Sequence, residues 1–222
     1  MRIVVATSNR GKLSELRSLL PESAELVTIG ELGLTLPDET GSDFVENALI
    51  KARAATGTDL VGVADDSGLI VDALGGAPGI FSARFAGEHA TDEQNNCKLT
   101  ELLAGLGPGE RIARFCSAVA MVTPDGKEFV ATGRVEGAIV DDPRGTNGFG
   151  YDPHFEIDDP DAAEFNGLTM AEISLEQKNR ISHRARAYRN LLKQLERSRL
   201  FSGTGAFARI GGENGADVVG RR

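Results

Sequence analysis

Hydrophobic and polar residues follow two different periods along this chain, and each period predicts one kind of element. Short apolar runs bounded by turn residues predict buried strands. These runs lie at residues 3–6, 60–63, 69–71, 115–122 and 128–131. Apolar residues three or four positions apart predict amphipathic helices, and these segments lie at residues 13–20, 44–55 and 91–103. Residues 123–127 have the composition of a hairpin turn. This mixture of strands and helices predicts an α/β fold with a mixed sheet.

The C-terminal region is predicted to be helical up to about residue 198. Capping-box sequences begin at Thr169 and at Ser174, and each predicts the start of a helix. The last helix is expected to pack through one apolar stripe, formed by Ile181, Ala185, Tyr188, Leu192 and Leu195. Residues 199–222 contain six glycines and little hydrophobic periodicity, so we expect a flexible tail without a catalytic role. Residues 1–198 then form the functional domain.

Charge and composition narrow the classes of function. The chain has 222 residues, with 24 Lys and Arg against 33 Asp and Glu and a net charge of −9. This charge argues against a protein that binds nucleic acid polymers, although it permits a small polyanion bound together with a metal ion. Cys97 and Cys116 lack the spacing of a zinc site and are expected to be small core residues. No segment has the pattern of a membrane span or a signal peptide, so we expect a soluble cytoplasmic protein without a membrane partner.

Two adjacent aspartates, Asp65 and Asp66, follow the apolar run at residues 60–63. We expect the strand to end there and to give way to a turn at Ser67 and Gly68. A buried, unpaired carboxylate is costly, so a buried pair would need a metal ion, a cation or a water network. The alternative is a polar turn in which aspartate caps backbone amides. This segment alone leaves both interpretations open.

A second polar segment lies between the first predicted strand and the first predicted helix. Its residues are Thr7, Ser8, Asn9, Arg10, Gly11 and Lys12. Hydroxyls, a glycine, a lysine and the amides of a helix N-terminus suit a phosphate group. The segment lacks the spacing of a Walker A loop. An ordinary capped turn therefore remains the alternative.

The helix predicted at residues 44–55 also carries polar residues. Asn47 and Lys51 are four positions apart and lie on one helical face, and Glu39 precedes this helix. A solvated helix surface would explain the same pattern. The segment alone does not decide between a solvated surface and a binding site.

Two further segments could bind a flat, polar ligand. Residues 145–153 place three glycines around Phe149, which lets the backbone approach a ligand while the ring offers a stacking surface. A tight loop with Phe149 in the core is the alternative. Lys178, His183 and Arg184 form a dense group of donors in an acidic protein, although a lone histidine on a helix is usually structural.

Five blocks taken together resemble the inosine triphosphate pyrophosphatases, a family of diphosphatases that act on XTP and dITP. In chain order the blocks are ATSNRGK, ETGSDFVENALIKA, ADDSGLIVDALGGAPGIFSARFAG, GTNGFGYDPHF and KNRISHR. The resemblance extends from the first residue to about Leu195, and the long third block is highly specific. Two features depart from the family pattern: Asn147 stands where a glycine is common, and the glycine-rich tail is not a family feature.

The resemblance implies a fold and a reaction. The expected fold is an elongated, two-lobed α/β structure around a long mixed β-sheet, with the nucleotide in the groove between the lobes. The expected enzyme is a homodimer that needs Mg²⁺. It would cleave ITP, dITP or XTP between the α and β phosphates, giving a nucleoside monophosphate and pyrophosphate, and so clear deaminated nucleotides.

The resemblance also assigns roles to residues. Glu39 and Asp66 would hold Mg²⁺, and Asp66 would orient and deprotonate the attacking water while Asp65 supports the site. The residues implied to bind the substrate are Thr7, Ser8, Asn9, Arg10, Gly11, Lys12, Lys51, Ser67, Phe149, Gly150, Tyr151, Asp152, Lys178, His183 and Arg184. Among them, Phe149 would stack on the base.

The chemistry of the purine base gives a reason for selectivity. Hypoxanthine and xanthine carry an accepting carbonyl at C6, where adenine carries a donating amino group, so a donor such as Arg184 would favour the oxo form. Guanine shares the oxo group, so its rejection must depend on its C2 amino group. The alternatives are a pyrophosphatase of another specificity, a non-catalytic nucleotide-binding module and an RNA-binding protein, which the net charge disfavours.

Overall fold

The computed structural model describes residues 2–19, 24–55 and 58–198, and the predicted tail lies outside them. The strands are β1 Arg2–Val5, β2 Glu25–Thr28, β3 Val61–Val71, β4 Ile112–Val122, β5 Glu128–Ile139 and β6 Phe155–Ile157. The α-helices are α1 Arg10–Leu19, α2 Phe44–Arg53, α3 Asp92–Leu102, α4 Leu175–Ile181 and α5 His183–Arg197. This mixed order of strands and helices confirms the predicted α/β class.

The strands form one mixed sheet in the order β2-β1-β3-β4-β5-β6. β1 runs parallel to β2 and to β3, whereas β3, β4, β5 and β6 pair antiparallel. The predicted hairpin joins β4 to β5: the Thr123 N–H donates to Lys127 O (2.9 Å) and Gly126 has a φ of +81°, which glycine adopts without strain. The predicted mixed sheet is therefore confirmed, and β5 is longer than the run that predicted it.

Strand β3 differs from the prediction at the position of the paired aspartates. We expected a strand that ends at Asp65, a turn at residues 67–68 and a new strand at residues 69–71. Instead β3 is continuous from Val61 to Val71, because β4 pairs with it over almost its whole length. Successive side chains of a strand point to opposite faces of the sheet. Asp65 and Asp66 therefore leave β3 in opposite directions.

Helices cover both faces of the sheet around these aspartates. On the side to which Asp66 points, called the Asp66 face here, α2 packs through Ala48 and Ala52. On the opposite side, the Asp65 face, α1 and α5 pack through residues such as Leu16 and Leu191. Because both faces are covered, both carboxylates lie in the interior, each less than 6% exposed.

The boundaries of two helices differ from the prediction. α1 begins at Arg10 rather than at residue 13, so Lys12 lies in its first turn. The capping box at Ser174 starts α4 as predicted. The predicted capping box at Thr169 is followed only by a turn, not by a helix. The Thr169 N–H nevertheless donates to the carboxylate of Glu172 (2.7 Å). Local capping chemistry is therefore present at both sites, but only the second is followed by a helix.

The apolar stripe predicted for one last helix belongs to two helices. Ile181 ends α4, and the remaining four residues of the stripe lie in α5. Ser182 separates the helices because its backbone is extended, with ψ of 155°, and its side chain caps α5 by accepting from Ala185 N–H (3.3 Å). This break places His183 and Arg184 at the start of a new helix.

Two expectations from composition have different outcomes. Both cysteines are free, but Cys97 is exposed and Cys116 is only partly buried, so the expectation of core positions is wrong for Cys97. Within residues 2–19, 24–55 and 58–198, every helix is too short or too polar to cross a membrane.

Candidate active site

A cavity of about 310 Å³ opens between the start of α1, the middle of β3 and the loop at residues 145–153. All but two of the residues predicted to form the site line it: Thr7, Ser8, Asn9, Lys12, Glu39, Lys51, Asp66, Ser67, Phe149, Gly150, Tyr151, Asp152, Lys178, His183 and Arg184. Arg10 borders a neighbouring groove instead, and Gly11 lines neither the cavity nor that groove. Segments far apart in sequence thus meet in one space.

The loop between β1 and α1 is fixed by local hydrogen bonds. The Asn9 N–H donates to Thr7 Oγ1 (3.2 Å), and the Lys12 N–H donates to Asn9 Oδ1 (3.1 Å). Asn9 therefore caps the first turn of α1. Gly11 is needed for space, because a Cβ there would lie 2.6 Å from the ring of Phe149.

On the Asp65 face, the carboxylate of Asp65 lies between two cations. Its Oδ2 is 3.0 Å from Lys12 Nζ and 3.1 Å from Arg184 Nε, and it accepts a hydrogen bond from Ser67 Oγ (3.2 Å). Burial opposes the ionisation of Asp65, but the charges of Lys12 and Arg184 outweigh it and lower the pKa of this carboxyl. Burial lowers the pKa of the Lys12 ammonium, against the opposing charge of Asp65. Asp65 is therefore a fixed anion that holds two cations in place.

A further buried carboxylate on this face, Glu15 of α1, was missed by the sequence analysis. It is 3% exposed, forms an ion pair with Arg184 and lies 3.0 Å from Lys178 Nζ. Burial opposes its ionisation, but Arg184 and Lys178 lower its pKa. The available signal was its position three residues after Lys12, because residues with this spacing share a helical face.

On the Asp66 face, one cation is shared by two carboxylates. Lys51 Nζ lies 2.9 Å from Asp66 Oδ1 and 2.6 Å from Glu39 Oε1. Asn47 Nδ2 donates to Asp66 Oδ2 (3.3 Å), so the predicted common face of Asn47 and Lys51 is confirmed. Burial raises the pKa of Asp66 more than Lys51 lowers it. Burial disfavours the charged Lys51, but Asp66 and the neighbouring carboxylates raise its pKa.

Glu39 and Asp66 form a donor set that fits Mg²⁺ shared with a ligand. In the part of the chain that the structure describes, no group of three or more His, Cys, Asp or Glu side chains could hold a metal ion. Mg²⁺, however, commonly binds one or two carboxylates and completes its shell with water and substrate phosphates. Both carboxylates approach the same ammonium of Lys51, so two hard oxygen donors face one point of the cavity.

The loop at residues 145–153 presents Phe149 to the cavity. Asp152 fixes it: Oδ2 accepts from the Phe149 N–H (2.9 Å) and lies 2.6 Å from Lys178 Nζ. Burial raises the pKa of Asp152, against the opposing charge of Lys178. Lys178 Nζ and Arg184 Cζ lie 5.0 Å and 5.9 Å from the centre of the Phe149 ring, within the range of cation–π contacts. Phe149 is half-buried at the cavity, so the alternative of a ring in the core is wrong.

His183 lies deeper than the other donors. It is 5% exposed, and its ring stacks on Phe115 with 4.9 Å between the ring centres. Burial and the adjacent charge of Arg184 lower the pKa of His183 well below its ordinary value. The imidazole is therefore neutral at pH 7.

A further wall of the cavity was also missed by the sequence analysis. It consists of a 3-10 helix, Gly79–Arg84, and the start of α3. Ser82 joins this wall to β3, because its Oγ accepts from the Leu69 N–H (2.9 Å). The Tyr151 hydroxyl donates to Ser82 O (2.8 Å). These contacts join residues far apart in sequence, so no local pattern indicated them.

Comparison with known sequences identifies similar proteins over most of the chain. The model of the Ham1 family matches residues 3–194. A dITP/XTP pyrophosphatase of Listeria monocytogenes is 48% identical over 199 residues, which cover 87% of this chain and 94% of the relative. A dITP/XTP pyrophosphatase of Bifidobacterium animalis subsp. lactis is 46% identical, and the match covers 86% of this chain and 95% of the relative.

Solved structures agree with the sequence comparison. The Ham1 protein of Staphylococcus aureus is 40% identical with a TM-score of 0.77, and the match covers 89% of this chain and 100% of that one. The nucleoside-triphosphatase / dITP/XTP pyrophosphatase of Mycobacterium abscessus is 44% identical with a TM-score of 0.66, and the match covers 86% of this chain and 99% of that one. The resemblance expected from the sequence is thereby confirmed. The sequence and the fold of this chain both show that it belongs to the Ham1 family.

Proposed function

We propose that this protein hydrolyses the non-standard purine nucleoside triphosphates ITP, dITP and XTP to a nucleoside monophosphate and pyrophosphate. Such an activity removes deaminated nucleotides from the precursors of DNA and RNA. One observation carries the proposal: the lysines Lys12, Lys51 and Lys178, the carboxylates of Glu39 and Asp66, and the loop that carries Phe149 line a single cavity. Relatives named dITP/XTP pyrophosphatase, at 46–48% identity, support the same reaction.

The triphosphate would lie against the start of α1. Backbone N–H groups at a helix N-terminus favour an anion, and the ammonium groups of Lys12 and Lys51 add positive charge in the same cavity. Thr7, Ser8 and Asn9 add hydroxyl and amide groups beside them. Arg10 and Gly11 do not line the cavity, so we assign them a contribution through the backbone of the helix start.

Asp66 is the proposed general base. The oxygen of a water molecule bonds to the α-phosphorus, the bond from that phosphorus to the α,β-bridging oxygen breaks, and pyrophosphate leaves. Asp66 accepts the proton of the water. We choose it over Asp65 because Asp66 lines the cavity, whereas Asp65 is paired with two cations behind it. Mg²⁺ held by Glu39 and Asp66 would neutralise charge on the phosphates.

The base would stack on Phe149, in a pocket shaped by Gly150, Tyr151, Asp152, Lys178, His183 and Arg184, with Ser67 contacting the nucleotide. A guanidinium has five N–H donors and an ammonium three. Arg184 donates to Glu15, Asp65 and Ser67, and Lys178 to Glu15 and Asp152. Three N–H groups on these two cations are therefore left over among the described residues. Such donors favour a C6 carbonyl and disfavour the amino group of adenine, with discrimination of up to ~10⁴.

The remaining features of the proposal come from the family resemblance. They are a homodimer, a cytoplasmic location and a small-molecule substrate rather than a nucleic acid polymer or a membrane. Residues 1–198 would carry the activity and residues 199–222 would not contribute to it.

Product analysis across substrates tests the proposal. Purified protein with Mg²⁺ is given ITP, dITP, XTP, ATP and GTP in parallel, and pyrophosphate and orthophosphate are measured separately. We expect pyrophosphate from the first three and much slower turnover of ATP and GTP, with chelation of the metal abolishing activity. Orthophosphate as the first product, or equal rates on ATP, would contradict the proposal. Binding without turnover would instead indicate a nucleotide-binding module.

A further inference from the structure

Two side chains of α3 hold both backbone polar groups of Gly150. Asp92 Oδ2 accepts from the Gly150 N–H (2.7 Å), and Asn96 Nδ2 donates to Gly150 O (3.0 Å). Asp92 and Asn96 are four positions apart, so they project from one face of the helix. Gly150 directly follows Phe149, the ring that lines the cavity. We call the pair Asp92 and Asn96 the α3 fork.

Gly150 has no conformational preference or side-chain packing of its own that would fix its position. Gly150 has a φ of +62°, a left-handed conformation with low intrinsic cost for glycine and therefore no intrinsic preference for this one geometry. A Cβ at Gly150 would meet no atom within 4 Å, so packing does not fix its position. Its two hydrogen bonds to the α3 fork act together with those of Asp152, which accepts from the Phe149 N–H (2.9 Å) and donates its own N–H to Phe149 O (3.3 Å), to determine where this residue lies.

The helix that carries the fork, α3, is itself held by several hydrogen bonds. Thr91 and Gln94 form a capping box that starts α3. Asn95, between the two fork residues and 3% exposed, accepts from the Ala86 N–H (2.8 Å) and donates to Ala83 O (3.2 Å). α3 is thus tied to the wall of the cavity formed by Gly79–Arg84. Because α3 contacts this wall and the Phe149 loop at once, it sets the distance between them together with the hydrogen bond from the Tyr151 hydroxyl to Ser82 O (2.8 Å).

The orientation of the Asn96 side-chain amide is also fixed by its surroundings. Only its nitrogen can bond Gly150 O, because rotating the amide would place two acceptors against each other. Its Oδ1 is buried and has no hydrogen-bond partner among the described residues. An unpaired buried acceptor is costly. The amide therefore keeps its hydrogen bond to Gly150 O although its Oδ1 has no hydrogen-bond partner among the described residues.

From these contacts we propose that Asp92 and Asn96 are positioning residues. They hold the backbone of Phe149 and Gly150 at the distance from the Gly79–Arg84 wall that the substrate base requires. They act through the loop rather than by contact with the reacting atoms. The proposal rests on the proposed function for the identity of the base. The fork therefore affects the binding and selection of the base, and it leaves the hydrolytic step itself unchanged.

Backbone hydrogen exchange tests, without a substrate, whether the fork holds the Phe149 loop in place. We expect Asp92→Ala and Asn96→Ala to speed the exchange of amides at residues 148–151 by about tenfold, the factor that corresponds to one such hydrogen bond. Asp92→Asn keeps an acceptor oxygen and should restore slow exchange. Glu93→Ala is the matched control, because it removes the other acidic residue of the same helical turn, which bonds Thr91 instead of the loop. Unchanged exchange in both fork variants would overturn the proposal.

Kinetics test the functional part. We expect Asn96→Ala and Asp92→Ala to raise the KM for ITP by about five- to tenfold with kcat within about twofold, and to lower the preference for ITP over GTP. A defect of stability alone would lower active enzyme without changing either KM or base preference, and it would appear in the melting temperature. Unchanged KM and base preference in a protein that hydrolyses ITP would overturn the proposal. Failure of the unmodified protein to hydrolyse ITP would instead overturn the proposed function, and the exchange result would still decide whether the fork holds the loop.

Discussion

On the Asp65 face of β3 one carboxylate lies between two cations, whereas on the Asp66 face one cation lies between two carboxylates. Asp65 is within 3.1 Å of both Lys12 and Arg184. Asp66 shares the ammonium of Lys51 with Glu39. The two aspartates are adjacent in sequence and almost equally buried. Their difference therefore comes from the helices that cover each face.

This difference separates two tasks that a buried carboxylate can perform. The charges of Lys12 and Arg184 lower the pKa of Asp65 despite burial, so Asp65 remains ionised and orients Lys12 and Arg184 toward the cavity. On the other face, burial outweighs the shared cation and raises the pKa of Asp66. A carboxylate that is less fully neutralised has capacity left for a metal ion or a proton. The pleat of one strand thus places the two carboxylates on opposite faces, where we propose a structural task for Asp65 and a reactive one for Asp66.

The largest expected effect is that of Asp66→Asn. The substitution keeps the size of the side chain and its contact with Asn47, but it removes the charge and the basicity. We expect kcat to fall by about 10²–10⁴, the usual range for a general base, with nucleotide affinity largely retained. Steady-state kinetics on ITP and equilibrium binding measure the two quantities. Near-normal turnover would contradict the assignment of Asp66.

Asp65→Asn should give the opposite pattern. Removing this charge leaves Lys12 and Arg184 buried beside each other with less compensation, and a broken buried ion pair costs about 3–5 kcal/mol. We expect the lower end of this range, because Arg184 keeps its pair with Glu15. Tm should fall by roughly 6–12 °C, while kcat changes by less than about tenfold. A larger loss of kcat than in Asp66→Asn would reverse the roles of the two aspartates.

Local chemistry in the sequence predicted several features of the fold correctly. The helix predicted at residues 91–103 is α3, the capping box at Ser174 starts α4, and residues 123–127 form the predicted hairpin turn. Each of these depends on residues within five positions of one another. Such interactions can be read from a short segment because the partners are neighbours in the chain.

Features that depend on distant partners were predicted less well. The polar residues around positions 67–68 predicted a turn there, but β4 pairs with this segment and keeps it extended. Glu15 lies in the helix predicted at residues 13–20, but its partners Lys178 and Arg184 lie more than 160 positions later in the chain. The site residues themselves came from family motifs. Their division between the two faces of β3 depends on helices that are distant from β3 in sequence.

A smaller effect than that of either aspartate is expected for Lys12→Ala. Lys12 belongs to the Asp65 face but also lines the cavity, so its loss removes one contact with the triphosphate and one with Asp65. A charge-assisted contact of this kind contributes about 1.5–3 kcal/mol. We expect KM for ITP to rise and kcat/KM to fall by a corresponding factor. Arg17→Ala, an exposed cation on the same helix, is the matched control, and equal effects of the two variants would make Lys12 an ordinary surface charge.

The smallest expected effect concerns Asn47, which supports the Asp66 face. Its Nδ2 donates to Asp66 Oδ2 (3.3 Å) while its Oδ1 accepts from the Gly41 N–H (2.8 Å). Asn47→Ala removes a donor that favours the ionised Asp66, and a bond of this length contributes about 1 kcal/mol. We therefore expect kcat to fall by about five- to tenfold, with an accompanying loss of stability because Gly41 also loses its partner. Glu46→Ala is the control, since Glu46 bonds Ser42 outside the cavity. If Asn47→Ala loses as much activity as Asp66→Asn, the amide is part of the reacting group rather than its support.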